Sequence, residues 1–145
     1  MVIETSGYFD YETVQQKVLP YVDLLYLDIK FADSKMHNRH TGKDNRLILT
    51  NIERLLQNGK CPAVLRIPLI PGVTATCRNL IDIADFLKKV NVAEAVLLPY
   101  NPLGLEKWRR IGKSKPDLPQ QLMSDDETEE LYQLFSSRIR RPVST

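Results

Sequence analysis

Asp28 and Lys30 are the residues of this chain best placed to do chemistry. They stand two positions apart at the carboxyl end of an apolar run from Val22 to Lys30. Side chains alternate along a strand, so Leu25, Leu27 and Ile29 share one face and Tyr26, Asp28 and Lys30 the other. A carboxylate and an ammonium at such a place are costly in a dry interior unless paired. In sheets of alternating strand and helix, ligands sit at that end of the strands. Three more candidate strand ends carry polar or turn residues: Glu4-Thr5-Ser6-Gly7, Arg66 with Pro71-Gly72, and Pro99-Tyr100-Asn101. Right-handed crossovers bring such ends to one rim. A rim offering acidic, cationic and amide groups suits a zwitterion with a carboxylate and an amine.

Plainer readings stand beside this one. Asp28 and Lys30 can pair with each other, and Arg66 can belong to a structural ion pair. Thr5-Ser6-Gly7 reads as a turn before it reads as an anion nest. His37 and His40, three apart on a polar helix, fit a solvated face better than a metal site. Tyr100 and Trp108 fit packing better than stacking. Cys61 and Cys77 flank the segment from Ala63 to Ile70, which separates its ends by roughly 20 Å when extended. That is beyond disulfide reach, so both are expected as thiols. Neither belongs to a CxxC pair, and this chain shows no metal-ligand set of its own.

The elements that must position these groups follow from pattern. Val2 to Glu4 reads as the tail of a strand. Asp10 can cap a helix ending near Leu19-Pro20. The strand Leu24 to Lys30 follows. Asp33 can cap a short helix through His40, stopped by Thr41-Gly42. Ile48, Ile52, Leu55 and Leu56 stand at helical spacing before Asn58-Gly59. Ala63 to Ile70 reads as a buried strand, its regular part ending near Pro68 because proline cannot donate to a ladder. Leu80, Ile83, Ala84 and Leu87 line a helix, and Ala95 to Tyr100 forms another strand. A proline-rich, basic, irregular stretch covers Asn101 to Met123. Ser124 and Glu127 form a capping box that opens a last helix bearing Leu131, Leu134 and Phe135. The alternation predicts an α/β protein with parallel strands and helix crossovers.

The 145 residues suit one domain or part of a larger one, and 43% hydrophobic with 26% charged residues is ordinary for a globular protein. A formal charge of +2 is too small to argue for nucleic acid. The clusters Arg109-Arg110, Lys113, Lys115 and Arg138, Arg140, Arg141 read as solvated surface. No apolar stretch approaches the roughly 20 residues of a membrane span and no secretory signal opens the chain, so a cytoplasmic location is the expectation.

Seven strings occur in order: Glu4 to Gly7, Leu27 to Lys30, Thr41-Gly42, Arg66 to Gly72, Leu97 to Asn101, Leu103-Gly104 and Lys107-Trp108. Together they resemble the C-terminal part of a glycyl-radical-enzyme activating enzyme, of the pyruvate formate-lyase activating group within the radical S-adenosylmethionine (SAM) superfamily. The resemblance covers nearly the whole chain. It implies that residues 1–145 are one C-terminal fragment, roughly the last four strands, of a partial (β/α)6 TIM-like barrel. It implies SAM as cofactor, with Asp28 and Lys30 contacting its methionyl part. Family members use the strand end matching Glu4 and Thr5 for the same moiety or for a monovalent cation beside it, many with aspartate where this chain has Glu4. Arg66 matches a rim arginine near the cofactor. Asn101 stands where well-known members have a histidine, and asparagine keeps hydrogen-bonding capacity but cannot titrate.

The family's [4Fe-4S] cluster is held by CxxxCxxC, which is absent here; the cluster cysteines are expected upstream, and the fragment alone is expected to be inactive. The implied partners are a glycyl radical enzyme and an electron donor such as flavodoxin or ferredoxin. An incomplete sheet would leave an open edge at Val2 to Glu4, predicting self-association of the fragment. Two rival readings remain: a Schiff-base lyase or aldolase using Lys30, and a non-catalytic binding module.

Overall fold

The computed structural model describes residues 1–90, 92, 94–105, 110–112, 118–139 and 143–144. The Lys107-Trp108 string and the basic residues Arg109, Lys113, Lys115, Arg140 and Arg141 lie outside them. Strands and helices alternate as β1 (Val2–Thr5), α1 (Tyr11–Lys17), β2 (Leu24–Asp28), α2 (Ser34–Thr41), α3 (Arg46–Asn58), β3 (Ala63–Leu69), α4 (Cys77–Leu87), β4 (Glu94–Pro99), α5 (Asp125–Arg138) and β5 (Val143–Ser144). All strand pairs are parallel, and the sheet order is β1-β2-β3-β4-β5. Sequential order with right-handed crossovers keeps the helices on one face, as in a barrel wall, and leaves the other face to whatever fills the interior.

The helices start where the capping chemistry puts them. Asp10, Asp33, Thr76 and Ser124 each accept the backbone N–H three residues on, and Ser124 with Glu127 closes a full capping box. Gly42 and Gly59 end α2 and α3 with φ of 76° and 60°, a conformation that costs other residues more. Leu25, Leu27, Leu65, Ile67, Leu69, Ala95 and Leu97 alternate onto the helix-covered face. They join Ile48, Ile52 and Leu55 of α3, Leu80, Ile83 and Leu87 of α4, and Phe135 of α5 in a single core. Burial of these side chains dominates the stability.

The regular part of β3 ends near Pro68 as expected, one residue on at Leu69, and the strand layout differs from expectation in two places. Ile29 N–H donates to the Arg66 carbonyl, so residues in step with Arg66 turn toward β2. Pro68, two residues on, therefore lacks its N–H where β2 has already ended, and its carbonyl instead accepts the Thr74 hydroxyl. Strand β2 stops at Asp28, so Lys30 lies just past the ladder. A fifth, two-residue strand follows α5 and pairs Val143 with Ala95. So short a segment at the chain end carries no periodicity to read. The four longer strands are those expected. Among the described residues β1 pairs only with β2, which leaves its other edge open. No described helix is long and apolar enough to cross a membrane.

Candidate functional site

Four charged side chains meet at the carboxyl rim of β1, β2 and β3. The parallel register sets Asp28 opposite Arg66 and Glu4 opposite Tyr26, so Glu4 lies diagonal to Asp28 on the face not covered by helices. Arg66 donates Nη1–H to Glu4 Oε1 at 2.9 Å and Nη2–H to Glu4 Oε2 at 3.1 Å. It also donates Nε–H and Nη2–H to Asp28 Oδ1 at 3.1 and 2.9 Å. Lys30 Nζ stands 3.6 Å from Asp28 Oδ2. The guanidinium lies over the Tyr26 ring at 5.0 Å from its centroid.

Burial is graded across the cluster. The Arg66 and Asp28 side chains are 18% and 27% exposed, Lys30 35% and Glu4 64%. The fork-to-carboxylate hydrogen bonds to Arg66 hold the Glu4 carboxyl below its usual range. Arg66 is held further into its charged form by Glu4, against some burial. Two cations and two anions cancel, so the cluster is neutral as a whole. A neutral zwitterion can exchange partners with it and leave no net charge unpaired.

The other expected site residues stand apart. Thr5 alternates to the opposite side from Glu4, and its Oγ1 accepts Gly7 N–H at 3.1 Å, which makes the turn after β1. Asn101 caps the 3-10 turn Pro102–Gly104 by accepting Leu103 N–H at 2.9 Å. Tyr100 packs at the end of β4 and donates its hydroxyl to the Pro119 carbonyl at 2.8 Å. His37 departs from the solvated-face expectation. It is 6% exposed, set edge-on to Phe31, with Nδ1 2.8 Å from the Lys43 carbonyl. His40 is exposed and stacks on Phe31. Cys61 is buried and Cys77 exposed, both as free thiols. Burial raises the Cys61 thiol pKa, and its Sγ–H points at the Val22 carbonyl. Arg110 and Arg138 are exposed, as surface cations.

Three buried asparagines that hold the rim escaped the sequence reading. Asn51 donates to the Gly7 and Phe9 carbonyls, each at 2.8 Å. Asn45 donates to the Phe31 and Ala32 carbonyls at 2.7 and 3.1 Å. Asn79 joins the Lys30 carbonyl to the Thr74 carbonyl, both at 2.9 Å. They satisfy loop carbonyls that would otherwise be buried without donors. The available signal was a polar residue inside an apolar stripe: Asn51 continues the spacing of Ile48, Ile52 and Leu55, and Asn79 that of Leu80 and Ile83. Asn79→Ala is expected to cost about 1–2 kcal/mol, because two carbonyls lose a buried donor. Urea unfolding of the variant checks this, with amide exchange at residues 30–33 expected to speed up beyond the global effect.

Curated relatives match most of this chain. The chain is 37% identical over 136 residues to the 4-hydroxyphenylacetate decarboxylase activating enzyme of Clostridioides difficile, a match spanning 92% of this chain and 42% of that protein. It is 36% identical over 139 residues to the trans-4-hydroxy-L-proline dehydratase activating enzyme of the same species, covering 94% and 45%. It is also 36% identical over 131 residues to the choline trimethylamine-lyase activating enzyme of Oleidesulfovibrio alaskensis, covering 88% and 42%. The chain thus spans less than half the length of these relatives. Among solved structures, a domain of pyruvate-formate lyase-activating enzyme from Bacteroides vulgatus superposes with a TM-score of 0.74 at 26% identity, over 99% of this chain and 80% of that one. A radical SAM methyltransferase from Sphaerobacter thermophilus shares the fold at a TM-score of 0.66. No family model matches the chain. Over the part of their length that it spans, the chain is similar at 36–37% identity to activating enzymes of glycyl radical enzymes, and it has the α/β fold of its radical SAM structural neighbours.

Proposed function

We propose that the cluster of Glu4, Asp28, Lys30 and Arg66 grips the methionyl headgroup of SAM within a longer activating enzyme whose partner is a glycyl radical enzyme. The observation that carries this is the half-buried Arg66 fork at the strand rim, bound to two carboxylates with Lys30 alongside. The zwitterionic headgroup fits a cluster of matched opposite charges. Lys30 is held by one contact of 3.6 Å and has ammonium protons to offer a carboxylate. Asp28 Oδ2 and the Glu4 oxygens can accept from an amine. Thr5 and Asn101 are the outer members: the Thr5 hydroxyl proton and the Asn101 amide protons stay available after their turn contacts. Held by these residues, SAM would supply a 5′-deoxyadenosyl radical, with methionine as the other product, once one electron reached it through a cluster reduced by a donor such as flavodoxin or ferredoxin; that radical would take a hydrogen atom from a glycine of the partner.

The family's [4Fe-4S] cluster does not fit the residues of this chain. Among the described residues no group of three His, Cys, Asp or Glu gathers to hold a metal ion, and the two thiols are one buried and one exposed. Its cysteines belong to a segment beyond this chain. The open edge of β1 is where a further strand would add, from such a segment or from a second copy of this chain. No observation favours Lys30 as a Schiff-base nucleophile, since its ammonium is paired with Asp28 in an ion-pair network.

Anaerobic reconstitution of residues 1–145 with iron and sulfide tests the division of labour. The expected product is colourless and leaves SAM intact. A brown, reducible protein that cleaves SAM would show that the chain holds a cluster unaided and would overturn the proposal.

A further inference from the structure

A second recess opens at the same rim, outside the ion-pair cluster. It has a volume of about 240 Å³ and is lined by Ser6, Tyr8, Lys30, His37, Lys43 and Ile48, with Thr41 at its margin. Its charge is not balanced. Lys30 shares Asp28 with Arg66, and Lys43 has no carboxylate partner among the described residues. The neighbouring Asp44 is engaged by Arg46 through two side-chain contacts of 3.1 and 3.2 Å. His37 stands in the wall, more than nine-tenths buried. Its Nδ1 meets the Lys43 carbonyl at 2.8 Å and the Thr41 hydroxyl at 3.0 Å. A carbonyl can only accept, so Nδ1 carries the proton in the neutral ring and Nε2 is left as the lone-pair nitrogen. The hydrogen bonds of the ring among the described residues are made through Nδ1.

We infer that this recess is a carboxylate-binding site, with Lys30 and Lys43 supplying charge and Ser6 and Tyr8 supplying hydroxyl donors. Ile48 and the Tyr8 ring give the carboxylate's carbon chain an apolar wall. The site shares Lys30 with the proposed SAM grip and otherwise uses residues of α2, α3 and the connections beside them.

Titration of the folded chain with sodium propionate, followed by NMR against sodium chloride at matched ionic strength, tests this. The expected result is a saturable shift of the His37 ring and the Ser6, Tyr8 and Lys43 amides. Lys43→Gln, at an exposed position, should weaken binding with the fold intact. A blocked peptide containing one glutamate distinguishes the source: tighter binding than propionate indicates an acidic side chain of a docking protein, and weaker binding a free small acid. Linear shifts equal to those from chloride, or saturable shifts unchanged in Lys43→Gln, would overturn the assignment.

Discussion

Arg66→Ala is expected to destabilise the chain by about 2–3 kcal/mol near neutral pH, the largest loss from any single polar substitution on the open sheet face. Its guanidinium makes four hydrogen bonds to Glu4 and Asp28 and covers the Tyr26 ring. Removing it leaves two carboxylates near each other on a partly dry surface, with only Lys30 to answer them. The deficit should depend on pH in a defined direction. Arg66 lowers the folded-state pKa of Glu4. That contribution is present above the unfolded carboxylate value and is lost as pH falls through the lowered folded one. The gap between wild type and variant should therefore be widest at neutral pH and shrink below about pH 4, where the variant's carboxylates take up protons. Urea unfolding at the two pH values reads this directly. Arg66→Lys should recover only part, since an ammonium cannot fork onto two carboxylates.

The frame of the molecule was readable because its elements obey simple periods. Alternation of apolar residues in β2 and β3, helical spacing in α3 and α4, and short polar caps at Asp10, Asp33 and Ser124 fixed where each element starts and which face it buries. Placing Asp28 and Lys30 on the face opposite Leu27 and Ile29 followed from the same rule, and the structure puts them there, half-buried. What escaped was set by tertiary register. Which carboxylates Arg66 would fork between depends on the alignment of three strands from distant parts of the chain, and no local pattern encodes it. How β3 accommodates Pro68 just before its end also depends on register: proline is excluded only where a neighbouring strand needs its N–H, and β2 ends before reaching it. His37 lay in a polar sequence context, yet the turn at Thr41 to Lys43 folds back over it and buries the ring. The rim asparagines satisfy carbonyls of loops far along the chain, as Asn51 does for Gly7, so their role appears only with the loops in place.

The proposed grip on an amino-acid headgroup is tested most directly by joining residues 1–145 in frame behind a CxxxCxxC-bearing N-terminal segment of an activating enzyme. After cluster reconstitution, release of 5′-deoxyadenosine from SAM is then measured. Asp28→Ala is expected to lower the single-turnover rate at limiting SAM by about 100-fold, equivalent to about 2.7 kcal/mol, with cluster content unchanged. Asp44→Asn, at a surface ion pair on the α2–α3 turn, should leave the rate as it was. A folded, cluster-loaded Asp28→Ala protein that releases 5′-deoxyadenosine at the wild-type rate would contradict the assignment of this rim to the cofactor.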